Sequence, residues 1–170
     1  MVRVPTTKTV VRLYKKNKIC FLKNTSAILI SPMIEQTVVL IKPDGMEKHV
    51  VGEIITRFEK AGMKLAALKM VQLTQALLDT WYAHHKTKPF FPELSKQMMS
   101  TPVVAMVLEG EGVIQKVFGI CGPTDPSEAD PGTIRRDFGV DKPHNVVHRS
   151  DSVEAAQKEI GLLFTPSDLH

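Results

Sequence analysis

Cysteine is scarce in this sequence, which limits the classes of protein that it can encode. Its two cysteines, Cys20 and Cys121, lie far apart and show no CxxC spacing. A disulfide framework or a structural zinc site needs paired or clustered cysteines, so neither is expected. The composition fits a reducing compartment, and we predict a cytoplasmic protein.

Long apolar runs are missing as well. A membrane-spanning helix needs roughly 20 consecutive apolar residues, and no run in this sequence approaches that length. The 170 residues, 43% of them hydrophobic, suffice for one well-filled core. We therefore expect a soluble protein with one folded domain and no membrane partner.

Acidic residues are absent from positions 1–34, which carry seven Lys or Arg. Residues 35–170 hold the other 15 basic residues and all 18 acidic ones, so their formal charge is −3. A basic segment of this kind can bind nucleic acid or anionic lipid, or act as a transit peptide. We favour a disordered, solvated extension or a true start at Met33, because Lys23 and Asn24 interrupt the apolar stretch that a secretory signal would use. The predicted folded domain is residues 35–170.

Strand-like and helix-like stretches alternate along this domain. Apolar and β-branched runs predict strands at 37–42, 63–73, 102–110 and 146–148. Helical spacing predicts helices at 50–62, 74–86, 91–100, 111–120 and 152–164. The order predicts an α+β sandwich of the βαββαβ kind, with helices against a four-stranded sheet. A parallel doubly wound sheet is disfavoured because both glycine-rich phosphate-loop motifs are absent.

Helix caps and one long loop complete the expected organisation. Thr74 is a plausible N-cap for the helix at 74–86, and Asp151 with Glu154 is expected to form a capping box for the last helix. Residues 121–145 show little periodicity, and a loop of that length is usually functional or disordered.

Two histidines, His144 and His148, bracket a pair of valines in HNVVHRSDS at 144–152. His148 ends the last predicted strand beside a helix start, where backbone N–H groups favour anions. Glu159 is expected to reach one imidazole nitrogen, and Ser150 adds a hydroxyl. An imidazole held by a carboxylate at one nitrogen is an oriented nucleophile at the other. A packed structural histidine is the alternative, and His144 is expected to be a plain loop residue.

Other side chains suit phosphates, sugars and bases. Lys42 ends the first predicted strand, where its ammonium can reach a phosphate or a sugar hydroxyl. In KPFFPEL, Phe90 and Phe91 offer one residue for the core and one for stacking on a base. The long loop contributes further phosphate- and sugar-binding types, namely Thr124, Arg135, Arg136 and Asn145.

The blocks IKPDG (41–45), VVGEII (50–55), KPFFPEL (88–94), PVVAMVLEG (102–110), GPTDP (122–126), DPGTIRRDF (130–138) and NVVHRSDS (145–152) resemble the nucleoside diphosphate kinases. The resemblance covers residues 35–164 in the family's order and spacing. It implies a ferredoxin-like fold with a four-stranded antiparallel sheet, assembly into a homo-oligomer (hexamer or tetramer), and ping-pong transfer of the γ-phosphate of ATP to nucleoside diphosphates. It also implies Mg²⁺ bound through the nucleotide phosphates rather than by a protein ligand cluster.

The resemblance assigns catalytic roles to four residues. His148 matches the histidine that is transiently phosphorylated, and Glu159 and Ser150 match the pair that orients it. Tyr82 matches a residue that approaches the transferred phosphate.

It assigns nucleotide-binding roles to five more. Lys42 and Asn145 match the residues that hold the ribose hydroxyls, and Lys42 also approaches the transferred phosphate. Thr124 and Arg135 match phosphate ligands, and Phe90 matches the base-stacking aromatic residue.

The sequence departs from the family inside this predicted site. Phe118 stands six residues before Thr124, where the family has an arginine that clamps the phosphates, while Arg149 and Arg136 stand where it usually has glycines. Losing a charge-assisted phosphate contact costs about 1.5–3 kcal/mol, so we expect weaker binding or slower transfer. Our hypothesis is that Arg149 or Arg136 partly replaces the missing guanidinium.

Two other functions stay open at this point. The substitutions at 118 and 149 are compatible with a weakly active or inactive nucleotide-binding relative that has a regulatory role. A nucleic-acid-binding protein acting through residues 1–34 is less favoured, because no RNP-like or helix-turn-helix pattern is present.

Overall fold

The computed structural model describes residues 33–170, so most of the predicted N-terminal extension lies outside the described residues. A four-stranded sheet with the order β2–β3–β1–β4 forms the centre, and every neighbouring pair is antiparallel. The strands are β1 (Ile34–Ile41), β2 (Lys64–Val71), β3 (Val103–Glu111) and β4 (Val147–Arg149). The predicted four-stranded, ferredoxin-like α+β fold is confirmed.

Seven α-helices surround this sheet within residues 33–170. They are α1 (Pro43–Glu47), α2 (Val51–Lys60), α3 (Gln75–Trp81), α4 (Phe91–Met98), α5 (Val113–Cys121), α6 (Ile134–Phe138) and α7 (Val153–Leu163). The predicted helix at 74–86 is shorter than expected and continues as a 3-10 turn at Ala83–His85. Within the described range, no helix has the length and apolar character needed to span a bilayer.

The two central strands are buried on both faces. Along β1, Val38 and Leu40 belong to one core cluster, whereas Val39 and Ile41 belong to the other. The first cluster packs the sheet against α3, α4 and α7, and the second packs it against α2 and α5. Two-sided burial explains why PVVAMVLEG is apolar without alternation.

The helix ends correct one capping prediction. Thr74 caps α3 as expected, accepting a hydrogen bond from the backbone N–H of Leu77 at 3.3 Å. The prediction that Asp151 caps α7 was wrong, because Ser152 is the N-cap and its Oγ accepts from the N–H of Ala155 at 3.1 Å. Asp151 instead accepts a hydrogen bond from Arg149 at 2.6 Å.

Two short helices occupy segments that the sequence suggested were irregular. Pro43–Glu47, which follows the first predicted strand and lies in no predicted helix, is α1, and Pro43 takes its first helical position. The long loop contains α6, whose N-cap Thr133 accepts from the N–H of Arg136 at 3.4 Å. Helices of five residues are too short to produce a visible 3.6-residue period.

Candidate active site

A cavity of about 820 Å³ opens where β1 and β4 end beside α3 and α7. Its volume lies within the usual range of small-molecule sites. Because the two strands are antiparallel and Ile41 pairs with Val147, the end of β1 lies beside the start of β4 at the cavity. Predicted site residues from separate parts of the chain line it, namely Lys42, Tyr82, Phe90, Thr124, Arg135, Asn145, His148, Arg149 and Glu159.

His148 is oriented by Glu159 through one ring nitrogen. Its Nε2 lies 3.1 Å from Oε1 and 3.2 Å from Oε2 of Glu159. Ser150, which is buried behind the cavity wall, donates its hydroxyl to Oε2 of the same carboxylate at 2.6 Å. The ring's side-chain hydrogen bonds within residues 33–170 are made at Nε2, which leaves Nδ1 available for chemistry.

Trp81 completes this arrangement and was not identified from the sequence. Its indole Nε1 donates to Oε1 of Glu159 at 3.0 Å, and its ring lies edge-on to His148 with the centroids 5.0 Å apart. The signal for it is indirect: Trp81 is the chain's single tryptophan and directly precedes Tyr82. A buried indole N–H requires an acceptor, and Glu159 provides one.

The Glu159 carboxylate carries charge despite its burial. Burial alone would raise its pKa, but hydrogen bonds from His148, Ser150 and Trp81 hold the pKa below the ordinary value for glutamate. An ionised Glu159 favours a proton on Nε2 of His148, and the lone pair is then on Nδ1.

Lys42 is a buried cation in the cavity wall, with 5% of the residue exposed. Its Nζ donates to Oδ1 of Asn145 at 3.0 Å and to the carbonyl of Pro143 at 2.5 Å. Burial lowers the pKa of Lys42 to about 8, although the nearby Asp44 carboxylate acts in the opposite direction. An ammonium group has three donors, so one remains for a ligand.

Asn145 ties the loop to the strand ends. Its Nδ2 donates to the carbonyls of Thr124 at 3.0 Å and Lys142 at 2.8 Å, while Oδ1 accepts from Lys42. Both amide protons are therefore used within the protein, and Oδ1 keeps one lone pair for an incoming donor. The backbone of Thr124, rather than its side chain, forms the contact with Asn145.

Arg135 supplies a second buried cation from α6. Its Nη1 donates to the carbonyl of Gly122 at 3.1 Å and its Nη2 to that of Val147 at 2.9 Å. Its buried Nε has no partner among the described residues. Burial lowers the pKa of Arg135, and two backbone carbonyls fix the side chain beside β4.

Of the two phenylalanines in KPFFPEL, one lies in the core and the other at the cavity, as the sequence suggested. Phe91 is buried in the first core cluster, whereas Phe90 is 49% exposed at the cavity rim. Tyr82 stacks on Trp81 with the ring centroids 5.6 Å apart, and burial raises the pKa of its hydroxyl. Phe90 is thus the ring that offers an open face to a planar ligand.

Asp44, on the short helix α1, also shapes the site. Its Oδ2 accepts from the backbone N–H of Val146 at 2.8 Å. Val146 has φ of 59°, an unfavourable conformation for a β-branched residue. A Cβ on Gly45 would lie 2.9 Å from the Val146 carbonyl oxygen, so this corner requires glycine.

The two arginines at family glycine positions differ in their surroundings. Arg136 is exposed and donates at 3.4 Å to the carbonyls of Pro126 and Ser127. Arg149 is buried, lines the cavity, and has its guanidinium carbon 4.1 Å from the centroid of the Phe118 ring. His144, which is absent from the cavity lining, has its Nδ1 2.9 Å from Oδ1 of Asp141 on the surface.

The charges of the cavity indicate a polyanionic ligand. Three buried cations, Lys42, Arg135 and Arg149, line it together. Within residues 33–170, no group of three or more His, Cys, Asp or Glu side chains is arranged to hold a metal ion.

Comparison with known proteins gives consistent matches. Residues 35–169 match the family described as nucleoside diphosphate kinase. A nucleoside diphosphate kinase of Thermus thermophilus is 51% identical over 136 residues, which cover 80% of this chain and 99% of that protein. One from Saccharolobus islandicus is 49% identical over 137 residues, covering 81% and 99%.

Solved structures of nucleoside diphosphate kinases also match this chain. The nucleoside diphosphate kinase of Aquifex aeolicus matches with a TM-score of 0.79 at 45% identity, over 81% of this chain and 100% of that one. A halophilic nucleoside diphosphate kinase from Halobacterium salinarum, in complex with CDP, matches with a TM-score of 0.78 at 40% identity, over 81% and 92%.

Proposed function

Because this chain belongs to the nucleoside diphosphate kinase family, we propose that it transfers the γ-phosphate of ATP to nucleoside diphosphates through a phosphohistidine at His148. The observation that carries this proposal is the pair of contacts between Nε2 and Glu159, at 3.1 and 3.2 Å, which leave Nδ1 as the nucleophile. A histidine held in this way attacks without first having to be reoriented.

The reaction has two half-steps. In the first, the Nδ1 lone pair of His148 attacks the γ-phosphorus, the bond to the β-phosphate oxygen breaks, and the nucleoside diphosphate leaves. In the second, a β-phosphate oxygen of the acceptor attacks the phosphohistidine and the N–P bond breaks. Positive charge develops on the imidazole in the first step, and Glu159 stabilises it through Nε2.

The cavity wall supports binding of the nucleotide. Lys42 and Arg135 face it with buried positive charge, which suits phosphates. The free lone pair on Oδ1 of Asn145 suits a ribose hydroxyl. The exposed face of Phe90 suits stacking on a base, which tolerates any base because each has a π-face. We therefore propose broad specificity among nucleotides.

The residues present fit Mg²⁺ delivered with the nucleotide. Three carboxylates line the cavity, Asp151, Glu154 and Glu159, but no metal-holding group is formed among residues 33–170, whereas phosphates and waters are ligands that Mg²⁺ prefers. Bound in this way, Mg²⁺ supplies charge neutralisation of the phosphates. Chelation is expected to stop transfer without changing the thermal unfolding midpoint.

The decisive experiment compares the intact protein with His148→Ala, using His144→Ala as a matched surface control. Transfer from ATP to GDP should disappear only in His148→Ala, and radiolabelled ATP should leave an acid-labile label only on proteins that keep His148. Turnover in His148→Ala would overturn the nucleophile. Nucleotide binding without turnover in the intact protein would indicate a regulatory relative instead.

We also propose that the protein works in a reducing compartment such as the cytoplasm.

We propose further that it forms a homo-oligomer, a hexamer or tetramer. In support, edge strand β2 exposes two large apolar side chains, Leu68 at 48% and Met70 at 63%. Exposed apolar groups on a sheet edge favour association. Sedimentation equilibrium would test this, and a monomeric mass at micromolar concentration would contradict it.

A further inference from the structure

We propose that Arg149 binds the nucleotide phosphates in this active site, that Phe118 positions its guanidinium, and that Asp151 occupies the guanidinium until phosphate enters. The inference rests on the proposed nucleotide-binding cavity, and it adds a binding residue, a positioning residue and an internal competitor.

Arg149 is a buried charge whose hydrogen bonding is incomplete. Its side chain is 7% exposed, and arginine at that degree of burial normally has several polar partners. Nη1 donates to Oδ1 of Asp151 at 2.6 Å, but the buried Nε has no partner among residues 33–170. A guanidinium has five N–H donors, and Asp151 engages only one of the four on the terminal nitrogens, so donors remain there for a ligand in the cavity that Arg149 lines.

Phe118 fixes the plane of this guanidinium. Its ring, on α5, lies under the guanidinium carbon at 4.1 Å, the geometry of a cation–π contact. Phe118 is otherwise a large apolar residue that is 44% exposed. Stacking on one face leaves the N–H groups in the guanidinium plane pointing outward, which is the orientation for bidentate binding of an oxyanion.

An incoming phosphate can replace the Asp151 carboxylate on the Arg149 guanidinium. Its side chain is 87% exposed, so it can turn into solvent, whereas the buried Arg149 cannot. Phosphate carries more charge than one carboxylate and accepts the same forked geometry. Arg149 also lies close enough to Arg135 for its charge to lower the pKa of Arg135, after the larger effect of burial. Two neighbouring guanidinium groups create a site for a polyanion.

The test measures ADP affinity by calorimetry and the KM for ATP in Arg149→Gly, with Arg136→Gly as the matched control. Arg136, the other arginine in place of a family glycine, is exposed and lies outside the cavity lining, so the geometry does not support the alternative that Arg136 replaces the missing guanidinium. Losing a bidentate charge-assisted contact should weaken ADP binding and raise KM by roughly 10- to 100-fold in Arg149→Gly only. Unchanged or tighter binding in Arg149→Gly would overturn the proposal.

Four further variants test the roles of Phe118 and Asp151. Phe118→Leu should weaken ADP binding severalfold while Phe118→Tyr, which keeps the ring, should not. Phe118→Arg combined with Arg149→Gly should recover most of the lost affinity, because the two side chains occupy adjoining space. Asp151→Asn should tighten binding of inorganic phosphate. Equal effects of Leu and Tyr at 118, or weaker phosphate binding in Asp151→Asn, would refute the corresponding role.

Calorimetry tests the role of Arg149 in binding independently of whether the protein catalyses the proposed reaction. ADP affinity does not depend on turnover, so a protein that binds ADP through Arg149 but transfers nothing would leave this inference intact and refute the kinase. Unfolding midpoints of every variant, measured by circular dichroism, exclude loss of the fold as the cause.

Discussion

Individual side chains at the active site are held by partners from distant parts of the chain. Glu159 on α7 receives the indole N–H of Trp81 and the hydroxyl of Ser150 while it orients His148. Lys42 is held by Asn145 in the same manner. These contacts hold the side chains in place before a ligand enters.

The affinity for ADP should depend on pH through the charge of Lys42. Since burial lowers that pKa to about 8, the ammonium is lost above pH 8, and ADP affinity should fall by up to about tenfold per pH unit beyond it. Calorimetry from pH 6.5 to 9.5 would measure this. Lys42→Gln should bind more weakly but with a flat profile above pH 8, and an equally steep decline in that variant would contradict the assignment.

The contribution of Lys42 to the free energy of unfolding should change with pH in the direction opposite to that of ADP affinity. Between the folded pKa of about 8 and the ordinary value of 10.5, the unfolded chain binds the proton that the folded chain has lost. The contribution of Lys42 to stability therefore rises with pH across that window.

Gly45 is a second residue whose identity the geometry demands. An added Cβ would lie 2.9 Å from both the Val146 carbonyl oxygen and Cγ2 of Ile41. Gly45→Ala should lower the free energy of unfolding by about 1–3 kcal/mol and weaken ADP binding, measured by urea titration and calorimetry. Gly52→Ala, on an exposed turn of α2 with open space around it, should instead stabilise by about 0.5–1 kcal/mol.

Among the elements, α7 matters most for the site because it carries Glu159. Ser152→Ala should destabilise the protein by about 1 kcal/mol, the usual effect of losing an N-cap, because Oγ of Ser152 accepts from the N–H of Ala155. Urea unfolding would measure it. An unchanged free energy of unfolding in Ser152→Ala would contradict this cap, and Ser152→Thr, which keeps the capping oxygen, is the matched control.

The long elements were predictable, and the short ones were not. β3 was evident from an apolar run without alternation, since both of its faces are buried. α1 and α6 stayed hidden because five residues cannot display a period. The α7 cap was off by one residue because Asp151 and Ser152 are both good capping types, and only the backbone conformation selects between them.

Contacts within the candidate site could be proposed where they depend on sequence motifs, but not where they depend on packing between distant elements. His148 and Glu159 lie near each other along the chain, so their pairing could be proposed. Trp81 reaches Glu159 from 78 residues away, and the ring of Phe118 meets Arg149 only because α5 packs beside β4. No local pattern encodes such a contact.

The molecule as a whole has one sheet between two core clusters, and this predicts cooperative unfolding. Phe58 is fully buried in the second cluster, while Trp81 lies in the first, on the other face of the sheet. Phe58→Ala should cost about 3–5 kcal/mol, and Trp81 fluorescence should report the lowered midpoint together with far-ultraviolet circular dichroism. A fluorescence transition left unshifted would show that the two clusters unfold independently.

Hydrogen bonds that join the two ends of the folded domain also bear on its synthesis. Contacts from Val38 to Ser150, Lys42 to Asn145 and Val146 to Asp44 span 112, 103 and 102 residues respectively. A chain emerging from the ribosome holds β1, β2 and β3 long before it has β4 and α7. Nascent or prematurely terminated chains therefore lack the contacts that hold the candidate site together, and we expect them not to bind nucleotide.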